Sequence, residues 1–169
     1  MFAEGDYISH SASGVCRVAG ITLMEVPGAD RKKEYYILKP VYDRSATVYC
    51  PVETGKALKC RRIMTKEQAG ALLDEISELE QLTAQNPKEL EERCRAAVQS
   101  ENSAEWARAI KTLRQERDKR LSTGKRMTVI QERCLKLAEE KLCGELAVSL
   151  GMEREKVEEL LIEKMAVKV

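Results

Sequence analysis

The unequal distribution of aromatic and proline residues constrains the fold of this chain most. Six of the seven aromatic residues lie within the first 49 positions, with Trp106 alone beyond them, and three of the four prolines precede residue 52. Aromatic residues favour β-strands, and proline marks the turns between strands. From Thr65 onward the chain is rich in the strong helix formers Leu, Ala, Glu, Lys, Arg and Gln. We therefore predict two domains of different class, residues 1–63 and residues 64–169.

The first domain is predicted to be a small antiparallel β-structure. Turn residues Pro27-Gly28-Ala29-Asp30 precede Arg31-Lys32-Lys33, which we expect at an exposed hairpin tip. Short strands with turn signals and no helical periodicity indicate a small barrel of the SH3 or Tudor kind. The predicted strands are residues 7–8, 14–26, 34–39 and 47–52.

The second domain is predicted to be an all-α bundle of about five helices. Thr65-Lys66-Glu67-Gln68 is a capping box, and apolar residues then recur at helical spacing as far as Leu79 and Leu82. Asn86-Pro87 predicts a second helix start, and Ser103 is the expected cap of a third. The overall prediction is an α+β chain, a Tudor-like β-barrel followed by a helical bundle.

The last two predicted helices follow a break at Ser122-Thr123-Gly124. The first of them reaches about Leu150, where Gly151 ends it, and residues 153–165 form a short final helix. The inward-facing residues of the longer helix are predicted to be Met127, Ile130, Cys134, Leu137 and Leu142.

Charge is segregated although the formal net charge is only +1. Residues 108–126 carry eight Lys or Arg and two acids, whereas residues 66–92 carry eight acids and two Lys. On a helix, Arg108, Lys111 and Lys119 lie opposite the apolar stripe. Such a basic face can follow nucleic-acid phosphates, or it can be a solvated face paired with the acidic first helix.

Metal sites and enzymatic chemistry are not indicated by the sequence. The six cysteines show no CxxC spacing and His10 is the only histidine, so we expect free thiols, no metal and no cofactor. A structural or redox role that uses Cys134 and Cys143 remains an alternative function. No phosphate loop, HExxH motif or nucleophile elbow occurs, and His10 lies in a polar loop, so we expect no catalytic residues and no enzyme.

The sequence also bears on where the chain acts. Its longest apolar runs contain only a few residues, and the first residues show neither a basic nor an apolar signal region. We therefore expect a cytoplasmic protein that does not enter membranes, and we expect it to act as a monomer.

The order of several short motifs resembles the CarD/CdnL family of bacterial transcription regulators, whose first domain is shared with transcription-repair coupling factor. The similarity extends over nearly the whole chain. The matching segments are Gly5-Asp6-Tyr7-Ile8, Gly14-Val15, Glu34-Tyr35-Tyr36-Ile37-Leu38-Lys39, Thr47-Val48-Tyr49-Cys50-Pro51-Val52-Glu53, Leu121-Ser122-Thr123-Gly124 and Gly144-Glu145-Leu146-Ala147.

This resemblance implies a first domain that binds the β subunit of RNA polymerase and a helical domain that binds promoter DNA. DNA would be contacted through its backbone or minor groove, without base readout, and open-complex stability would change. The resemblance places the polymerase contact, by pairing along an exposed sheet edge, at Tyr35, Tyr36, Leu38, Val48, Tyr49 and Pro51. It places the DNA contact at Arg108, Lys111, Arg114, Lys119, Arg120, Lys125 and Arg126.

The chain departs from its relatives at several positions. Several relatives carry an arginine where Tyr49 stands, so Arg17 or Arg44 is an alternative polymerase contact. Relatives also carry a tryptophan, proposed to wedge into the minor groove, where Pro87 stands. Trp106 lies on an apolar stripe, which predicts core packing; a wedge would need to be exposed.

Two functions of different class follow from these observations. The first is a regulator that tethers polymerase to promoter DNA. The alternative is a protein–protein adaptor whose charged helical bundle binds another protein rather than DNA. Salt-dependent binding of duplex DNA distinguishes them, because an adaptor would show none.

Overall fold

A computed structural model describes residues 2–25, 27–28, 32–53 and 60–166 of the chain. The chain divides into two compact units, residues 1–63 and 64–169. The predicted hairpin tip falls partly on Ala29, Asp30 and Arg31, which lie outside the described residues, as does Val26 at the end of the second predicted strand.

The first unit contains a five-stranded antiparallel sheet with the strand order β4-β3-β2-β1-β5. The strands are β1 (Tyr7–His10), β2 (Gly14–Met24), β3 (Lys33–Pro40), β4 (Val48–Pro51) and β5 (Cys60–Arg62). The first four agree with the predicted strands, whereas β5 was missed because three residues are too short to show alternation. A register shift between Val18 and Gly20 interrupts the β2–β3 pairing.

The core of this unit lies on one face of the sheet. Its buried residues are Ile8, Cys16, Val18, Tyr36, Leu38, Cys50 and Cys60. Phe2 packs against this core, and its backbone N–H donates to the Tyr36 hydroxyl at 3.0 Å. Together with the helices that follow, this arrangement confirms the α+β prediction with a Tudor-like first domain.

The second unit consists of α-helices around a single apolar core. The helices are α1 (Lys66–Glu75), α2 (Pro87–Gln99), α3 (Ser103–Ser122), α4 (Val129–Leu150) and α5 (Arg154–Met165), with a 3₁₀ turn at Ile76–Glu78. None of the helices in the described part of the chain combines the length and apolar character that a membrane span requires.

The ends of the helices follow from their capping residues. Thr65 forms the predicted capping box with Gln68, and Asn86 accepts a hydrogen bond from the backbone N–H of Glu89. Gly151 ends α4 with φ 66°, a left-handed conformation that glycine adopts without strain. The third helix differs from the prediction, because Asn102 is its cap and Ser103 is its first residue.

Two other helical predictions were wrong. Leu79 and Leu82 do not continue α1, because the helix ends in the 3₁₀ turn and the chain then runs without regular structure to Asn86. Leu137 is 40% exposed, whereas Leu135 and Ala138 are buried in its place. Successive residues of a helix are rotated by about 100°, so the face of α4 that contains Leu135 and Ala138 is buried and Leu137 lies outside it.

Candidate functional site

Strand alternation divides the polymerase-contact candidates between the two faces of the sheet. Tyr36 and Leu38 are 3% and 0% exposed, so their side chains belong to the core and are not surface contacts. Val48 lies opposite Leu38 and packs against the same core. Because successive side chains of a strand point to opposite faces, Tyr35 and Ile37 lie on the outer face.

The outer face carries an apolar row at one edge of the sheet. Tyr35 lies opposite Pro51, and Ile37 lies opposite Tyr49, so the four residues form two cross-strand pairs. Tyr49 is 48% exposed and Pro51 is also exposed. We call Tyr35, Ile37, Tyr49 and Pro51 the β3–β4 patch. β4 is an end strand of the sheet order, which places this patch beside a strand edge.

Basic residues continue the outer face beyond the patch. Arg17 on β2 is exposed and lies opposite both Lys39 and Tyr7 in the sheet register. Lys39 is exposed, and its ammonium donates to the Thr47 hydroxyl at 2.5 Å. The sequence prediction missed Ile37 and Lys39, although period-two alternation outward from buried Tyr36 and Leu38 identifies both.

The middle of the basic stretch on α3 is engaged within its own unit. Arg108 donates to the Glu80 carbonyl at 2.8 Å and pairs with Glu105 at 2.8 Å. Lys111 donates to the carbonyls of Ser77 and Leu79 at 2.6 and 2.8 Å. These side chains hold the segment that follows α1, so this part of α3 is not the solvated basic face that the helical wheel predicts.

Two further arginines of the stretch are also partly buried. Arg114 pairs with Glu139 at 3.2 Å, and its side chain is 15% exposed. Arg120 pairs with Glu116 at 2.8 Å and donates to the Arg126 carbonyl at 3.2 Å. Four of the seven DNA candidates therefore have intramolecular partners. The pairs with Glu105 and Glu116 have helical spacing in the sequence, whereas most of the other partners lie far away in the chain.

The remaining three DNA candidates lie together where α3 ends. Lys119, Lys125 and Arg126 are all exposed, and we call them the basic corner. The backbone N–H of Lys125 donates to the Arg120 carbonyl at 2.8 Å, and Gly124 has φ 75°, which turns the chain away from the helix. The basic corner is thus held at the end of α3 by ordered backbone geometry.

Pro87, where the family resemblance implies a tryptophan, borders the same groove as one residue of this corner. Pro87 is exposed as the first residue of α2. An open groove of about 510 Å³ is lined by Pro87, Gln115 and Lys119, among other residues. Pro87 and one residue of the basic corner therefore border the same surface.

Trp106 belongs to the core, as its apolar stripe predicts. It is 1% exposed, and its indole N–H donates to the Val98 carbonyl at 3.2 Å. The Lys141 ammonium lies 5.5 Å from the ring centroid, in cation–π geometry. Trp106 therefore does not present its ring to a DNA groove.

The cysteines of the helical unit have the properties of structural thiols. Burial raises the pKa of Cys94 and of Cys143 to about 12, and it also raises the pKa of Cys134. A thiol is nucleophilic only as the thiolate, so these groups are unreactive near neutral pH. This observation disfavours the redox role considered for Cys134 and Cys143.

Comparison with models of protein families gives a match to the first part of the chain. The family model described as the CarD-like/TRCF RID domain matches residues 2–64. Residues 2–64 form a CarD-like/TRCF RID domain. The match confirms the resemblance to CarD-like proteins and to transcription-repair coupling factor over residues 2–64, and it does not extend to the helical residues that the resemblance also includes. No curated protein matches the chain.

The RID domain is an RNA polymerase-interacting domain, and it is a binding module rather than a catalytic one. The match therefore supports interaction with RNA polymerase, and it implies the β subunit as the partner. The matched residues include all five strands of the sheet and so the whole β3–β4 patch.

Proposed function

We propose that this chain is a transcription regulator that tethers promoter DNA to RNA polymerase and changes the stability of the open complex. The observation that supports it most strongly is that the RID domain carries an exposed apolar row beside a sheet edge. The chain would use residues 1–63 for polymerase and residues 64–169 for DNA. It would act in the bacterial cytoplasm.

The β3–β4 patch is the proposed polymerase surface. Tyr49 and Pro51 present apolar area to solvent, and the neighbouring strand edge offers backbone groups for pairing with an extended segment of the partner. Aromatic residues with exposed rings are common anchors of protein interfaces. Arg17 and Lys39 would add favourable contacts if the facing β-subunit surface is acidic.

The basic corner is the proposed DNA surface. Lys119, Lys125 and Arg126 are exposed at the end of a helix and in the tight turn that follows it, where they are accessible to phosphate groups. With only three such residues, affinity for duplex DNA alone should be low and strongly salt-dependent. Binding to polymerase would raise the local concentration of DNA, so that this weak contact becomes effective in the complex.

The test is the lifetime of promoter open complexes formed by a bacterial RNA polymerase, with and without the full chain. We expect that the wild-type chain changes the lifetime and that Tyr49→Ala reduces this effect. Replacing the basic corner by glutamine should reduce it as well, whereas Lys136→Gln, which changes an exposed lysine of α4, should not. An unchanged lifetime with a folded wild-type chain would contradict the proposal.

A specific observation favours the adaptor as the second candidate. Leu121 and Val129 are 57% and 70% exposed and lie on either side of Lys125 and Arg126 in sequence. Exposed apolar residues beside basic ones are typical of protein interfaces. If the chain binds polymerase but shows no salt-dependent binding of duplex DNA, the helical unit is an adaptor for another protein.

A further inference from the structure

The two ends of the sheet order of the first unit are brought together by a pair of thiols. Cys50 lies on β4 and Cys60 on β5, the first and last strands of the order. Their Sγ atoms are 3.0 Å apart, and the residues are 3% and 4% exposed. The sheet therefore curls until its two ends share a buried contact, as in a barrel.

A histidine completes this group. His10 on β1 lies directly opposite Cys60 in the sheet register. One imidazole nitrogen and the two sulfur atoms all lie within 4.8 Å of one another. Within the described part of the chain, this is the one group of three such side chains that could hold a metal ion. Its members come from three strands and are separated by up to 50 positions in the chain.

We propose that Cys50, Cys60 and His10 bind one Zn²⁺ ion that joins the two ends of the sheet. Two thiolates and an imidazole are a ligand set that Zn²⁺ prefers, and three protein ligands leave one tetrahedral position for water. Loading replaces the two thiol protons, which pass to solvent, with two Zn–S bonds and involves no change in oxidation state.

The observed spacing requires only a small adjustment for this ion. With Zn–S bonds of about 2.3 Å, two thiolates at a tetrahedral ion are about 3.8 Å apart. The sulfur atoms at 3.0 Å would therefore separate by less than 1 Å. A disulfide would also link this thiol pair, but it would not use the histidine that the fold places beside it.

Loading should also change one hydrogen bond of His10. The Ser13 backbone N–H donates to His10 Nδ1 at 3.2 Å. A metal at Nδ1 displaces this bond directly, and a metal at Nε2 moves the ring proton onto Nδ1, which can then no longer accept. In either case the Ser13 amide loses a partner, which gives a readout that does not depend on a variant.

The experiment is a titration of the reduced full-length chain with Co²⁺, a spectroscopic substitute for Zn²⁺. We expect one equivalent to produce thiolate-to-metal charge-transfer absorption and tetrahedral d–d bands, which Zn²⁺ then removes. Cys50→Ser and Cys60→Ser should each lower the charge-transfer absorption by at least about half, because each removes one of the two thiolates. His10→Ala should weaken binding and alter the d–d bands. Cys134→Ser, a buried thiol of the other unit, should behave as the wild type.

A second measurement tests the proposal on the wild-type chain and can therefore be used even if a cysteine variant fails to fold. In amide NMR spectra of the wild-type chain, Zn²⁺ should shift Ser13 and the residues flanking Cys50 and Cys60, and leave α3 unchanged. The proposal is overturned if the reduced chain gives no charge-transfer absorption. It is also overturned if that absorption is undiminished in Cys50→Ser, or if the two thiols are recovered as a disulfide that neither metal prevents.

Discussion

The Lys111 ammonium donates to two carbonyl groups, those of Ser77 at 2.6 Å and Leu79 at 2.8 Å. A positive charge at these carbonyls stabilises the end of the 3₁₀ turn that follows α1. A residue in the middle of the most basic stretch of the chain therefore serves the internal structure of the helical unit.

The first prediction follows from this contact. Lys111→Met keeps most of the apolar stem but leaves two carbonyl groups without their donor, so we expect a loss of about 1–3 kcal/mol in the free energy of unfolding. Urea denaturation measures this loss. Lys119→Met, an exposed residue of the same helix, should change stability by less than about 0.5 kcal/mol. Equal effects of the two variants would contradict the assignment.

Trp106 gives a prediction that separates a core residue from a DNA wedge. Trp106→Ala should lower the free energy of unfolding by about 3–5 kcal/mol, because it removes the largest fully buried side chain among the described residues. Trp106→Phe should retain more of the stability and leave DNA binding unchanged under conditions where the variant is folded. If Trp106→Phe instead abolishes DNA binding while thermal unfolding is unaffected, the ring contacts DNA.

The buried thiols predict a loss of stability in alkaline solution. The pKa of Cys143 is raised from 9.0 to about 12 in the folded chain, chiefly by burial. Between these values the folded state keeps a proton that the unfolded state releases, so stability falls as pH rises, by about 1.4 kcal/mol per pH unit. Urea unfolding from pH 8 to about pH 11 should show a shallower decline for Cys143→Ala than for the wild type. Parallel declines would contradict the prediction.

The basic corner is tested by the salt dependence of duplex binding. Changing Lys119, Lys125 and Arg126 to glutamine should lower the affinity and reduce the salt slope by about one for each lost phosphate contact. Fluorescence anisotropy with labelled duplex DNA at several salt concentrations gives both quantities. Lys136→Gln and Lys156→Gln change exposed lysines elsewhere and serve as controls. If they reduce binding equally, the contact is not specific to the corner.

Local signals in the sequence were sufficient to predict most of the helices and strands. The capping box at Thr65, the Asn86-Pro87 start and Gly151 each act within one helical turn, and the structure confirms all three. The apolar spacing after Thr65 predicted too long a first helix, because Leu79 packs against the core from a segment without regular structure. Helical spacing alone does not distinguish that case from a continuing helix.

The candidate sites were harder to predict because they depend on contacts between distant residues. Alternation on β3 identifies Ile37 as a surface residue, so this part was available from the sequence. The carbonyl groups that accept hydrogen bonds from Arg108 and Lys111 lie 28 and 34 positions away, and nothing in α3 itself indicates them. The contact between Cys50 and Cys60 likewise depends on the curvature of the sheet, and the spacing of the cysteines in the sequence does not predict it.

Binding of the full-length chain to the isolated β subunit tests whether the β3–β4 patch is the polymerase contact. The account predicts saturable binding by the wild type and a loss of at least about tenfold in affinity for Tyr49→Ala, equivalent to about 1.4 kcal/mol. Tyr42→Ala is the matched control, because Tyr42 is 45% exposed and lies outside the patch, and it should bind as the wild type does. Absence of binding by the folded wild-type chain, or equal affinity of the Tyr49 variant and the wild type, would contradict the account.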